Sequence, residues 1–542
     1  MAFRNSKDDA EIAGFPSHGS SREKDMAQRN PSVSLAVPKR TMSLTDCIGA
    51  GWVISQSWAG LGATMAFSIY QGGPVTIVYG MILILFTMGS TALSLAELSA
   101  RYPTSGGQYH WTAILSPSRF RRSTSYICGC INMFSWISIS AGVCILPCQM
   151  ITAIATFFHP NYLFERWHIF LEFQAFNIAF LLFNIYIIER AQWIHTVGFV
   201  GSITAVVVIF VTCLATSAPK SPSEYVWTHF VNPDSGWPNG VVFLTGLVSP
   251  NYMYVGIDGA VHLAEECVNA AVAVPRTIVL VIVVGFLTAF PFGIAMLYSV
   301  TDWEAILTTP TGVPIYQIFL QATKSAAGGT VLFIMMLVFA YFALIASMQS
   351  ASRLTWSFAR DDAIIFSRFF SRIHPTLNVP VWALLFNSSV MFLLGCIYLG
   401  STTAFNALIG VAVVLQQLGF AIPAALLMYR RRAPEYLPRR VGSFFTHFNL
   451  GAFGWVCNAV TVAWAIIILI FFDFPNAIPV TGLTMNYIPA VLGGMAVFGI
   501  INWFSHARKY YYGPVIDVEH FKEQTEGMCV SVQEMPSSTV HF

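Results

Sequence analysis

The charges of this chain disappear for stretches long enough to cross a lipid bilayer and then return in short clusters. No Asp, Glu, Lys or Arg occurs between Asp46 and Glu97, or between Arg122 and Glu165. Further gaps run from Arg190 to Lys220, Asp234 to Asp258, Arg276 to Asp302 and Lys324 to Arg353. The longest lies between Arg372 and Arg430, and two more follow, Arg440 to Asp473 and Asp473 to Arg508. A spanning helix needs about 20 apolar residues for a hydrocarbon core of about 30 Å. The Asp46–Glu97 and Arg372–Arg430 gaps each hold two such segments, divided at Gly72-Gly73-Pro74 and at Leu399-Gly400-Ser401. Composition agrees: the chain is 55% hydrophobic and 10% charged, against about 25% charged residues in soluble domains.

Counting these segments predicts an all-α membrane protein with twelve spans, at 44–70, 75–98, 124–150, 169–188, 196–216, 239–262, 277–299, 329–352, 381–399, 404–428, 453–472 and 484–505. Basic residues gather on the cytoplasmic side of membrane proteins. With both termini cytoplasmic, all but Arg166, Lys220 and Lys324 of the 28 Lys and Arg residues fall on that side. A missed or invented span would invert everything after it and destroy this separation. The polar first 40 residues and the last 35 read as cytoplasmic tails without a signal peptide. A net charge of +2 gives no reason to invoke nucleic acid. Cysteines such as Cys128, Cys130, Cys144 and Cys148 lie inside spans and read as packing residues.

A carrier must expose backbone polar groups near the midplane, and interrupted helices at matching positions of two repeats provide them. The first span carries Gly49, Gly51, Ser57, Trp58, Ala59, Gly60 and Gly62; the sixth carries Pro250, Tyr252, Tyr254, Gly256, Asp258 and Gly259. These spans open two halves of five helices each. For one such helix alone, close packing of small residues is the simpler explanation; the pair, five helices apart, points to discontinuous binding helices. Asp258 is the acid set furthest inside a span, with Glu172 near the start of another. Its candidate roles are contact with a cationic substrate, carriage of a coupling proton, or capping of an inner half-helix. Trp58, Tyr252 and Tyr254 offer aromatic faces to an alkylammonium group, with ordinary packing as the alternative.

The run Ser94-Leu-Ala-Glu97-Leu-Ser-Ala-Arg101-Tyr-Pro103-Thr-Ser-Gly106-Gly107-Gln108-Tyr109, after Gly72-Gly73-Pro74, resembles the amino acid–polyamine–organocation superfamily. More narrowly, the chain resembles its fungal amino acid/choline transporter branch, on Gly256-Ile-Asp258-Gly-Ala-Val-His262-Leu-Ala-Glu265-Glu266, Val274-Pro275-Arg276 and Ser352-Arg353-Leu-Thr-Trp356-Ser-Phe-Ala-Arg360-Asp361-Asp362 with Val379-Pro380-Val381. The resemblance covers residues 42–512 and implies a LeuT-like fold of two inverted five-helix repeats plus two further helices. The expected layout is a tail at 1–42, repeats at 43–216 and 217–430, helices 11 and 12 within 431–506, and a tail at 507–542. It implies that a substrate carboxylate meets Ser57, Trp58, Ala59 and Gly60, while the amine side meets the stretch from Tyr252 to Gly256, with Tyr252 as an aromatic lid. Ser57-Trp58-Ala59-Gly60 stands where relatives often carry G-S-G, and Asp258 where they often carry Glu.

Glu97, Arg101, Glu265, Glu266, Arg276, Arg353 and Arg360 all fall near the cytoplasmic face. Glu97, Arg101, Glu265 and Arg353 are the expected gating or fold-fixing set, with topology-setting charge as the alternative for the arginines. The resulting expectation is a permease for a small amine-bearing solute: choline or another quaternary amine, γ-aminobutyrate, or an α-amino acid. Its partners are that solute and the bilayer. No cofactor or metal is expected beyond a coupling H+ or Na+, with Ser347 and Ser350 near a cation site. The plasma membrane is the expected residence and the vacuolar membrane the alternative. Alternative functions are transport of a specialised amino-acid-derived metabolite and nutrient sensing without flux. No H-E-x-x-H, P-loop or nucleophile-elbow motif supports an enzyme, and His110 and His262 read as interfacial or packing histidines.

Overall fold

The computed structural model describes residues 40–514 except 160, 162, 163, 233, 234, 439–447, 476 and 483. Residues 1–39 and 515–542 of the predicted tails therefore lie outside the described residues. The first predicted segment is two helices end to end, α1 (Leu44–Ser55) and α2 (Ser57–Tyr70). There follow α3 (Gly73–Arg101), the short α4 (Gln108–Leu115), α5 (Arg121–Phe158), α6 (Arg166–Tyr186) and α7 (Trp193–Thr216). The sixth segment is fragmented into α8 (Asn239–Gly246), α9 (Val248–Tyr252) and α10 (Gly259–His262). Then come α11 (Ala270–Ser299), α12 (Pro314–Thr323), α13 (Ala326–Arg360), α14 (Val381–Gly400) and α15 (Thr402–Tyr429). The last two are α16 (Phe453–Phe471) and α17 (Ile488–Asn502).

Among the described residues, 10 helices are long and apolar enough to cross a membrane. They are α3, α5, α6, α7, α11, α13 to α16 and the stretch Ile488–Tyr510 that α17 opens, matching ten of the predicted segments. The remaining two predictions, 44–70 and 239–262, are the segments the chain interrupts.

Local chemistry sets the boundaries. Ser43 starts α1 with a reciprocal cap, its Oγ accepting from the Asp46 amide while its own amide donates to Asp46. At the predicted divider Gly72 and Gly73 take φ values of 87° and 64°, a left-handed turn that glycine enters without steric cost, and Pro74 then starts α3. Pro147, Pro275 and Pro291 lie inside long helices, where each removes one backbone donor.

Large apolar side chains such as Phe86, Leu287 and Leu393 remain 64–66% exposed and turn outward. Lipid is as apolar as leucine, so cohesion between helices comes from close packing and buried polar contacts. The main packing pairs are α3 with α11, α5 with α13 and α15, α15 with α16, α6 with α14, and α1 with α7. Trp52, Trp58, Trp111, Trp136 and Trp356 are fully buried between them. Of the described cysteines only Cys396 is exposed.

Candidate functional site

The first helix breaks at Gln56, which takes φ 38° and ψ 51°, a left-handed conformation that costs a non-glycine residue about 1–3 kcal/mol. The Gln56 amide ends α1 on the Trp52 carbonyl at 2.8 Å, and its own carbonyl accepts from the Gly60 amide at 2.8 Å to start α2. α7 holds the break from the side. Ser202 Oγ donates to Gln56 Oε1 at 2.7 Å and accepts from Trp58 Nε1 at 2.9 Å. The predicted break, Ser57 to Gly60, thus begins one residue earlier, at a glutamine. A search for glycines passes over it; the signal was the polar triplet Ser55-Gln56-Ser57 inside an otherwise apolar segment.

The second break runs through turns from Met253 to Asp258, between α9 and α10. Gly256 sits at φ 78°, and a Cβ there would come within 2.5 Å of Ile54 Cγ2. Only glycine fits, because both the backbone conformation and the approach of α1 forbid a side chain.

A small cavity of about 30 Å³ lies between the breaks, bordered by Ser55, Gln56, Ala59 and Gly60 on one side and Tyr252 and Val255 on the other. Val143 of α5 and Met336 of α13 close it. Two or three waters fit such a volume, at roughly 10–15 Å³ of this measure each, so a solute must displace side chains to enter. Through Ala63, Leu146 and Met150 this cavity adjoins a vestibule of about 680 Å³, a size typical of ligand sites. Phe67, Tyr70, Phe164 and Tyr398 rim the vestibule, and among the described residues no Asp, Glu, Lys or Arg lines either cavity. The Tyr252 hydroxyl is buried without a hydrogen-bond partner, close against Gly142 of α5.

The predicted binding residues therefore divide. Ala59, Gly60 and Tyr252 line the inner cavity. Ser57, Trp58 and Tyr254 turn away from it. Trp58 packs edge-on against Phe292 and Phe339, at 5.4 and 6.3 Å between ring centres. Tyr254 donates to the Ile282 carbonyl at 3.1 Å, and Ser57 lies against Gly285 of the same helix, α11. Gly256 packs on Ile54 and Trp136. Ser55, Gln56, Val255, Val143 and Met336 also line it; the last two come from distant helices, which no local pattern reveals.

Asp258 caps nothing with its side chain. It is fully enclosed and accepts from Gln108 Nε2 (2.7 Å), Trp136 Nε1 (3.2 Å) and Gln416 Nε2 (3.1 Å), with His262 Nε2 at 3.1 Å. His262 and His110 are buried rather than interfacial; His110 lies 3.2 Å from Asp361. The imidazoles are thus polar-network members, which hydropathy alone does not distinguish from packing residues.

At the opposite end of the bundle from the vestibule lie three ion pairs: Glu97–Arg432 at 2.6 Å, Glu266–Arg353 at 2.6 Å and Glu265–Arg360 at 2.8 Å. From Gly73, beside the vestibule residue Gln71, to Glu97 is about 36 Å along α3 at 1.5 Å per residue. The Glu97 partner is Arg432, at φ 49°, and Glu97 also accepts from the Leu450 amide at 2.8 Å. Arg101 reaches the Glu435 carbonyl at 3.5 Å. Arg360 grips Glu265 with two nitrogens, and Ser105 Oγ donates to the same carboxylate at 2.6 Å. Burial alone would raise the Glu265 carboxyl, but the Arg360 charge and these hydrogen bonds outweigh it and bring it to about 2.

Two interrupted helices facing each other across a cavity that opens at one end, with charge-paired closure at the other, define a membrane solute carrier. The chain belongs to the amino acid permease family, whose model matches residues 41–497, and so to the amino acid–polyamine–organocation superfamily. It is 32% identical over 476 residues to a choline transporter of Saccharomyces cerevisiae, covering 88% of this chain and 83% of that protein. It is 31% identical over 483 residues to a swainsonine transporter of Arthroderma benhamiae, covering 88% of this chain and 92% of that protein. A 7-keto 8-aminopelargonic acid transporter of Saccharomyces cerevisiae is 26% identical over 509 residues, covering 84% and 90%.

Proposed function

We propose that this permease imports a small amine-bearing solute, with choline or another quaternary amine first, then γ-aminobutyrate or an α-amino acid. The observation that carries this reading is the aromatic-rimmed route from the vestibule to the two helix breaks, lined among the described residues by uncharged side chains. A quaternary ammonium group cannot donate conventional hydrogen bonds, and aromatic faces attract it through the ring quadrupole. Helix N-termini at the breaks carry partial positive charge and serve the carboxylate of a zwitterion, which keeps amino acids in the screen. The choline transporter among the relatives supports the first choice. The swainsonine transporter supports a second reading, transport of a specialised alkaloid.

In this reading the interrupted segments 44–70 and 239–262 bring the crossings to twelve, arranged as two inverted repeats, 43–216 and 217–430, plus two helices. The vestibule faces outward across the plasma membrane, with the vacuolar membrane as alternative, and both termini and the ion pairs face the cytoplasm. The coupling is to an ion gradient. Glu97, Glu265 and Arg353, each held in a pair, then close the inner side and exchange partners during the cycle.

The test is uptake of labelled choline, γ-aminobutyrate and α-amino acids in cells lacking their own permeases. One probe is expected to show saturable uptake. Tyr252→Ala raises its KM at least about tenfold, the loss of about 1.4 kcal/mol of aromatic contact, whereas Trp58→Phe leaves KM within about threefold because Trp58 faces α7 and α11. Absence of uptake of every probe by protein at the cell surface, alongside uptake of an alkaloid, would replace the first reading by the second.

A further inference from the structure

The mechanism above leaves unused a fully enclosed acid–imidazole pair at the inner end of the second break. His262 Nδ1 lies 2.8 Å from the Ser105 carbonyl oxygen, which can only accept, so Nδ1 carries a hydrogen. That leaves His262 Nε2 facing Asp258 Oδ2 at 3.1 Å. If neither atom held a proton, an imidazole lone pair would oppose a carboxylate oxygen, and the contact would be repulsive. The contact therefore demands one proton between the two groups, on the acid or on the imidazole.

The surroundings isolate that proton. Gln108 of α4, Trp136 of α5 and Gln416 of α15 donate to Asp258, Asn132 of α5 lies 3.5 Å from Gln108, and Ser350 of α13 reaches the Gly259 carbonyl at 3.5 Å. Ile54 of α1 packs against Gly256 and Gly259, and the Trp136 ring stands edge-on to His262 at 5.3 Å. All of these groups are neutral. The charges next along the chain and on α4 and α13 are engaged elsewhere, in Glu265–Arg360, Glu266–Arg353 and His110–Asp361. Asp258 and His262 line neither cavity.

We propose that the Asp258–His262 pair is the coupling-proton site of this transporter. This rests on the permease reading above. With one proton bound, α10 is tied to α4 and α5 through Asp258 and to the loop before α4 through His262. Ser105 links this site to the inner closure, since its carbonyl accepts from His262 while its hydroxyl donates to Glu265. Loss of the proton towards the ion-paired face turns the Asp258–His262 contact repulsive and loosens α10 together with the Glu265 anchor. One proton enters from the vestibule side and leaves on the other side in each cycle.

The test uses the full chain in proteoliposomes, with choline, γ-aminobutyrate and α-amino acids as probes. An acid-outside gradient of one pH unit drives up to about tenfold accumulation with one proton per solute. Asp258→Asn, which removes the titrating carboxyl, is expected to keep solute exchange but lose that accumulation. His262→Gln gives the same split. Wild-type flux that ignores the gradient, or accumulation that survives Asp258→Asn, overturns the proposal. Absence of both flux and exchange for every probe sinks the amine-permease reading instead. Hydrogen exchange then decides the proton site on its own. Protection of 253–262, corrected for intrinsic rates, is expected to fall with rising pH in the wild type and not in Asp258→Asn; identical profiles overturn the site.

Discussion

Gln56 and Gly256 break their helices by opposite means. Gly256 enters a positive φ freely and also leaves room for Ile54, so Gly256→Ala meets strain and a clash together. We expect that variant to lose about 1–3 kcal/mol of stability from the backbone alone, read as a lower melting temperature in detergent. An unchanged melting temperature would mean that the turn does not have this geometry in solution. Gln56 is held instead by Ser202, a residue 146 positions away, so its conformation is a tertiary product. The same serine holds Trp58, which is why an aromatic beside the break serves packing rather than the cavity.

Among the elements, the short pieces around the second break are held by an ion pair. Glu265 follows α10 directly and is bound by Arg360 at the end of α13. Its folded value of about 2 lies below the ordinary 4.5, so the carboxylate contributes stability that is complete above pH 4.5 and lost as the pH falls towards 2. Melting temperature is therefore expected to fall between those pH values in the wild type, and to fall less in Glu265→Gln. A double-mutant cycle with Arg360→Gln is expected to give a coupling of about 0.5–3 kcal/mol; additive losses would remove this pair from the account of the closed face. Ser105 ties the same carboxylate to the loop before α4, a helix the charge pattern leaves inside a connection.

The whole molecule is open at one end and charge-paired at the other. Cysteine placed at Gln149 or Thr311, both lining the vestibule, is expected to react with an impermeant maleimide in intact cells. Cysteine at Ser118, exposed between α4 and α5, is expected to react only after permeabilisation. Both belong in a background with Cys396 and Cys529 replaced by serine. Reversed labelling would place the vestibule towards the cytoplasm and turn the direction of transport around.

Ten of the predicted spans were legible because a helix in lipid satisfies its own backbone, so length and apolarity alone specify it. The breaks in the other two were legible in Gly256 and in the polar cluster around residues 55–60, since glycine and small hydroxyls weaken a helix locally. Of the residues the resemblance puts at the breaks, Ala59, Gly60 and Tyr252 border the cavity. Which side chains met across the bundle was decided only by tertiary structure. Arg432 closes on Glu97 across 335 positions, and Gln108 and Gln416 converge on Asp258 from 150 and 158 positions away. Hydropathy records whether a residue avoids water, while the direction it faces within a bundle depends on which helices pack beside it.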